Sequence, residues 1–194
     1  MWQRSIQKLF PPPRSVARNQ GWTLIEMAVV AVIAGILAVV ATPSMLGSMR
    51  KSELQATANQ VKGALREAQR AAIRNGSGCT ATISSTSPQI LGTTAGCITS
   101  PVALSSGITL SATSTTSGGS VTNLTLPQSL SFSYKGNPSN ADELTLILAP
   151  PEATGLTPAQ ITARGIERRC IVISVGIGIM RSGTYNDTTC TSTL

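Results

Sequence analysis

Residues Gly21–Pro43 read GWTLIEMAVVAVIAGILAVVATP, and from Met27 to Ala41 no side chain is polar. Counted from Trp22 to Ala41, this run matches the roughly 20 residues that a helix needs to cross a bilayer. Glu26 sits near the start of this apolar block, where an unpaired carboxylate costs about 2.5 kcal/mol or more if it is taken into lipid. A charge placed there at such cost reads as functional. The preceding residues 1–21 carry Arg4, Lys8, Arg14 and Arg18, and Pro11-Pro12-Pro13 rules out a continuous helix through them. Four basic residues ahead of an apolar span predict that this end stays cytoplasmic.

A secretory signal carries its cleavage site after the apolar core. Here the candidate site, Gly21, precedes the core, so a cut would leave the hydrophobic segment on the mature chain. Gly21-Trp22-Thr23-Leu24-Ile25-Glu26 resembles the type IV prepilin signal. That resemblance implies cleavage after Gly21 by an inner-membrane prepilin peptidase and methylation of the new amino terminus on Trp22, although Phe or Met is the usual first mature residue. It also supplies a partner for Glu26: the cationic amine of Trp22 on a neighbouring subunit. Processing and assembly would then be chemically coupled.

From Trp22 the helical pattern extends to about Asn75, some 54 residues or ~80 Å at the helical rise. Pro43 removes one backbone hydrogen bond and crowds the carbonyl of Val39, which predicts a kink or a melted section around Gly35 to Gly47. Leu54, Ala58, Val61, Leu65, Ala68 and Ala72 recur at spacings of four and three, the signature of one apolar helix face on which a globular domain packs. Asn75-Gly76 is a helix stop. The remainder reads as β: Cys79–Ile83 and Leu130–Tyr134 alternate, Leu144–Leu148 and Cys170–Val175 are near-continuous apolar runs, and Ile177–Arg181 returns through a turn at Gly176. Ser111–Ser120 reads as a mobile low-complexity loop, Pro150–Pro158 as a second loop, and Thr157–Arg164 as a place for a helical turn.

The helix ending Leu65-Arg66-Glu67-Ala68-Gln69-Arg70-Ala71-Ala72-Ile73-Arg74-Asn75-Gly76, followed by a β domain with late strands at Arg168–Ser174 and Gly176–Arg181, resembles the minor pilins and pseudopilins of the FimT and type II secretion H class. The implied fold is α+β and pilin-like. It has a leader at 1–21, a transmembrane and assembly half of a long helix at 22–49 containing Pro43, an amphipathic half at 50–76, and an antiparallel β-sheet domain at 77–194. The implied location is the bacterial inner membrane, with the leader cytoplasmic and the β domain periplasmic, and afterwards an extracellular filament. Implied partners are the peptidase, other pilin subunits and the inner membrane.

Of 194 residues 12% are charged and 3% aromatic, and His is absent, which removes the commonest general base and metal ligand. Such a composition is sparse for an enzyme core, and the pilin resemblance implies an assembly protein with no enzymatic activity, cofactor or metal. The formal charge is +7, but removing the four basic residues of the leader leaves 11 basic against 8 acidic side chains, a formal +3. Four cysteines in an exported domain favour disulfides and allow three pairings. Loop size suggests Cys79 with Cys97 and Cys170 with Cys190, each closure worth roughly 3 kcal/mol in the chain-entropy model.

Lys62, Arg66, Arg70 and Arg74 form a basic stripe at i+4 steps, and Arg164, Arg168, Arg169 and Arg181 cluster toward the C-terminal strands. One reading is phosphate contact with DNA, without base reading; the other is a solvated face or a surface matched to acidic filament neighbours. DNA-binding members of the class carry a C-terminal Gly-Arg-x-Arg, whereas Gly178-Ile179-Met180-Arg181 offers one Arg. Three further roles stand beside the pilus subunit: a type II secretion pseudopilin, a DNA-binding minor pilin in natural transformation, and a membrane-anchored binding module.

Overall fold

A computed structural model of the chain describes residues 22–87 and 89–192, with side chains for all of these except 39–46 and 192. The chain divides into two compact units between Met45 and Leu46. Helix α1, Leu24–Asn75, runs through the divide. Its backbone is helical without interruption from Gly35 to Gly47, so the expected melted section is not there. Proline deletes a single hydrogen bond, and the turns on either side retain theirs. The helix ends where the sequence places its stop. Gly76 adopts φ +62 and its N–H reaches the Ile73 carbonyl at 3.3 Å, a conformation that glycine takes without a Cβ penalty.

In the first unit every described side chain from Trp22 to Ala38 is exposed, Leu24 at 91% and Leu37 at 65%. Among the described residues no helix is long and apolar enough to cross a membrane; the described side chains of the apolar run stop at Ala38.

In the second unit the same helix is amphipathic. Leu54, Ala58, Val61, Leu65, Ala68 and Ala72, the face marked by periodicity, are all buried, and Thr57, Ala64 and Ala71 widen it. Thr57 is accommodated there because its hydroxyl donates to the Glu53 carbonyl at 2.8 Å. This face packs on antiparallel β-sheet, giving an α+β domain. Strands β1 (Cys79–Ile83), β2 (Ile90–Gly92) and β5 (Gln128–Phe132) form a three-stranded sheet in the order β2-β1-β5. A six-stranded sheet takes β3 (Thr109–Thr115), β4 (Val121–Leu124), β6 (Glu143–Ala149), β7 (Arg169–Ile173), β8 (Met180–Asn186) and β9 (Thr189–Ser192) in the order β4-β3-β6-β7-β8-β9.

The central strands β6 and β7 are buried on both faces, which is why they read as continuous apolar runs. Leu146, Leu148, Ile171 and Ile173 face the helix side of the core, with Ile147, Cys170 and Val172 at the alternate positions. Helix α2, Pro158–Ala163, fills the place expected for a helical turn. It starts on a reciprocal capping box between Thr157 and Gln160, with Pro at the first position.

Three expectations are corrected. Ser111–Thr115 is strand, not loop: Ala112 and Thr113 are buried and β3 pairs with β6 along its full length, leaving only Thr116–Ser120 as a connection. The returning strand begins at Met180 rather than Ile177, because Gly176 and Gly178 hold φ +78 and +64 in a turn closed by Ser174 N–H on the Ile179 carbonyl at 3.0 Å. The strand expected at Leu130–Tyr134 ends at Phe132, where Ser133 turns back by donating to Asn137.

Candidate assembly site

Thr23 starts α1. The Glu26 N–H donates to the Thr23 carbonyl at 3.1 Å and to its hydroxyl at 3.3 Å, and the Met27 N–H donates to the same carbonyl at 3.2 Å. Thr23 is thus the N-cap and Glu26 the third helical residue, the Thr-x-x-Glu arrangement of a capping box. Glu26 lies in the first turn of the helix, where the unsatisfied N–H groups and the helix dipole favour a carboxylate by about 0.3–1 kcal/mol. Its charge is therefore placed where the helix tolerates it best, and its side chain is open to solvent. Thr23 as cap was missed in the sequence, although the signal was there: a threonine three residues before a glutamate, in front of an apolar run. Trp22 is 66% exposed. Gly21 lies outside the described residues, as does the side chain of Pro43.

The candidate basic residues separate into two groups. Arg168 is paired with Asp187 and lies over the Tyr185 ring, 5.1 Å from its centre. Arg169 is paired with Glu167, which also takes Lys51 at 3.4 Å, and Arg181 faces Glu143 at 3.5 Å. The Nε atoms of Arg168 and Arg169 are buried, so these two side chains are built into the domain. Arg164 is exposed at the C-terminus of α2. On α1, Lys62 donates to the Ser182 hydroxyl at 3.0 Å, and burial, with Arg66 nearby, lowers its pKa. Arg66, Arg70 and Arg74 are exposed and make no ion pair among the described residues. The phosphate-contact cluster proposed from sequence is thus largely neutralised within the fold.

Glu67 ties α1 to the loop after Cys97: its carboxylate accepts from the Thr99 N–H at 3.0 Å and from the Thr99 hydroxyl. The Thr99 hydroxyl first, then its N–H, hold this carboxyl below its usual pKa. A carboxyl with a lowered folded pKa contributes stability that is complete above its unfolded value of about 4.3 and is lost as pH falls through the folded value. Amide exchange at Thr99 should therefore stay slow from neutral pH down to the ordinary carboxylate range and rise below it. Glu67→Gln should show the faster exchange already at neutral pH; unchanged protection in that variant would refute the tie.

Both disulfides favoured by loop size are formed. Cys79–Cys97 has Cα atoms 5.5 Å apart and Cys170–Cys190 5.9 Å apart, and no cysteine is free among the described residues. Cys170 lies on β7 and Cys190 on β9, with β8 between them; Gly183 is opposite Cys170 in register. In a flat sheet two strand spacings amount to roughly 9.5 Å, so β9 rolls over the outer face of the sheet.

No protein-family model and no curated protein matches the chain. A solved structure similar to it is that of the type IV minor pilin FimU from Pseudomonas aeruginosa (strain PAO1), at 15% identity and a TM-score of 0.43, over 73% of this chain and 95% of that one.

Proposed function

We propose that this chain is a minor subunit of a type IV pilus or a related filament, made as a precursor, cut after Gly21 and assembled by helix packing. The observation that carries this reading is the first unit of α1: a helix with apolar side chains exposed on all sides and one carboxylate in its opening turn. A helix apolar all round needs a covering, which lipid supplies before assembly and neighbouring helices afterwards. In a filament core Glu26 would meet the amine freed on Trp22 of another subunit. The folded β domain, stapled by two disulfides, fits an extracytoplasmic setting. The chain's role here is structural, and the chemistry is done to it by prepilin peptidase.

Mass spectrometry of the chain recovered from a host with the peptidase should find residue 22 at the amino terminus, carrying a methyl group. Gly21→Val places a β-branched side chain beside the cut and should leave nearly all of the protein as a full-length precursor in the membrane. Recovery of wild-type protein from filaments with residues 1–21 attached would refute the proposal. Loss of piliation, of secretion or of transformation in a deletion strain separates the pilus subunit from the pseudopilin and DNA-uptake readings.

A further inference from the structure

The turn between β7 and β8 carries large aliphatic side chains at alternate positions, and all three stand exposed: Val175 at 45%, Ile177 at 67% and Ile179 at 51%. Tyr134, in the turn after β5, is exposed as well, and so is Ile73 in the last turn of α1. These three elements are locked together. The Gln69 amide on α1 donates to the Gly136 carbonyl at 2.8 Å and to the Gly178 carbonyl at 3.3 Å. The approach is close: a Cβ at Gly136 would stand 2.8 Å from Ile73 Cδ1, and one at Gly178 would stand 2.8 Å from Gln69 Nε2. Of the eight large hydrophobic side chains that the described residues of the second unit leave exposed, five therefore lie at this one end. Single exposed apolar side chains need no explanation, but a group of them presented on a fixed frame marks an interaction surface.

Charge decides what covers it. Arg66, Arg70 and Ile73 stand at i, i+4 and i+7 on one stripe of α1, so two guanidinium groups border the apolar group. Lys135 adds a third cation, over the Tyr134 ring at 5.5 Å from its centre. None of these three has a carboxylate partner among the described residues. Every acidic side chain of the second unit is already engaged within the fold, Glu143, Glu152, Glu167 and Asp187 with cations and Glu53, Glu67 and Asp142 with hydroxyls. A second copy of this chain thus has no unengaged carboxylate to offer from that unit, whereas a different protein can. Nucleic acid is held mainly through its phosphates and would leave the large apolar side chains in water. An apolar centre that includes a tyrosine and is bordered by arginines is the make-up of a protein–protein interface. Building on the filament role given above, we propose that this end of the domain docks a different filament subunit, on a face with an apolar centre rimmed by carboxylates.

The test is made in a host that builds the filament, on the full chain with a photoreactive residue in place of Ile177. Irradiation should join it to one other subunit of the filament, at a position that peptide mapping places beside aspartate or glutamate. Arg66→Glu combined with Arg70→Glu changes only exposed positions and should lower the yield about tenfold or more. Reversing the mapped acids of the partner to lysine should restore it. The same photoreactive residue in place of Leu91, exposed at 41% on β2, should give no such product. The docking is overturned by the absence of a product from position 177, or by a product with a second copy, a lipid, nucleic acid or a protein outside the filament. It is equally overturned by a yield that ignores either charge reversal, or by an equal yield from position 91. The amino terminus of the chain is read in the same sample. Absence of the product from chains cut after Gly21 overturns the docking and leaves the filament role standing, whereas the expected product on chains that keep residues 1–21 overturns the role and leaves the docking.

Discussion

Glu26→Gln is expected to yield a chain that is cut, inserted and folded, yet nearly absent from sheared filaments. Glutamine keeps the length and hydrogen-bonding capacity of the third helical residue, so the start of α1 at Thr23 should survive the change. Insertion depends on the apolar run and should be unchanged or easier, since a costly charge has gone. What would disappear, under the function proposed above, is the partner for the Trp22 amine of a neighbouring subunit. Breaking a buried charge pair by removing one member costs about 3–5 kcal/mol, which amounts to a loss in incorporation of more than roughly 100-fold. Fractionation into membrane and filament pools measures it. Thr23→Ala provides the contrast, because it removes the cap, at about 1 kcal/mol, and leaves the carboxylate in place. Its incorporation should stay close to wild type, whereas Glu26→Lys, which brings like charges together, should fail outright. Normal incorporation of both Glu26 variants would rule out charge pairing. A defect in Thr23→Ala as deep as in Glu26→Gln would show instead that Glu26 serves only to start the helix.

The second large effect concerns the seam between helix and sheet. Leu65 is fully buried there, among alanines that cannot swing into a vacated space. Leu65→Ala should cost about 2–5 kcal/mol through lost transfer energy and a residual cavity, a large share of the stability of about 5–15 kcal/mol usual for a domain. Thermal unfolding of the oxidised protein should shift down by on the order of 10 °C. Arg66→Ala, one residue along on the exposed side of the same turn, should stay within about 0.5 kcal/mol of wild type. Similar shifts for the two would contradict the packing described for α1.

The amphipathic half of α1 was legible because its apolar positions recur with the helical period and its stop is a glycine. Strands β6 and β7 were legible because burial on both faces demands unbroken hydrophobic runs. Strands β3 and β4 were hidden for the opposite reason. No charged residue lies between Arg74 and Lys135, and the serines and threonines there serve buried and exposed positions alike, so hydropathy does not alternate even where the backbone does. Thr113, buried at 4% in a segment read as loop, shows what composition concealed. The basic cluster was legible only as charge. Charge is visible in a sequence, but the pairing of Arg168 with Asp187 or of Arg181 with Glu143 depends on strand register. The disulfide pairing followed loop size because each bridge closes a local excursion from the sheet.

The direction of the seam has a mechanical consequence. Tension applied to the second unit at the start of its own part of α1 acts along the axis of that helix. From Leu54 to Ala72 the buried face covers about five turns. Pulled lengthwise, those contacts resist in shear and share the force at once; pulled from one end, they would peel one after another. The chain then passes through a short turn into β1, the middle strand of its sheet, which is flanked on both sides by β2 and β5 and bridged to the following loop at Cys97. Rupture force, rather than equilibrium stability, is the property that this arrangement raises most.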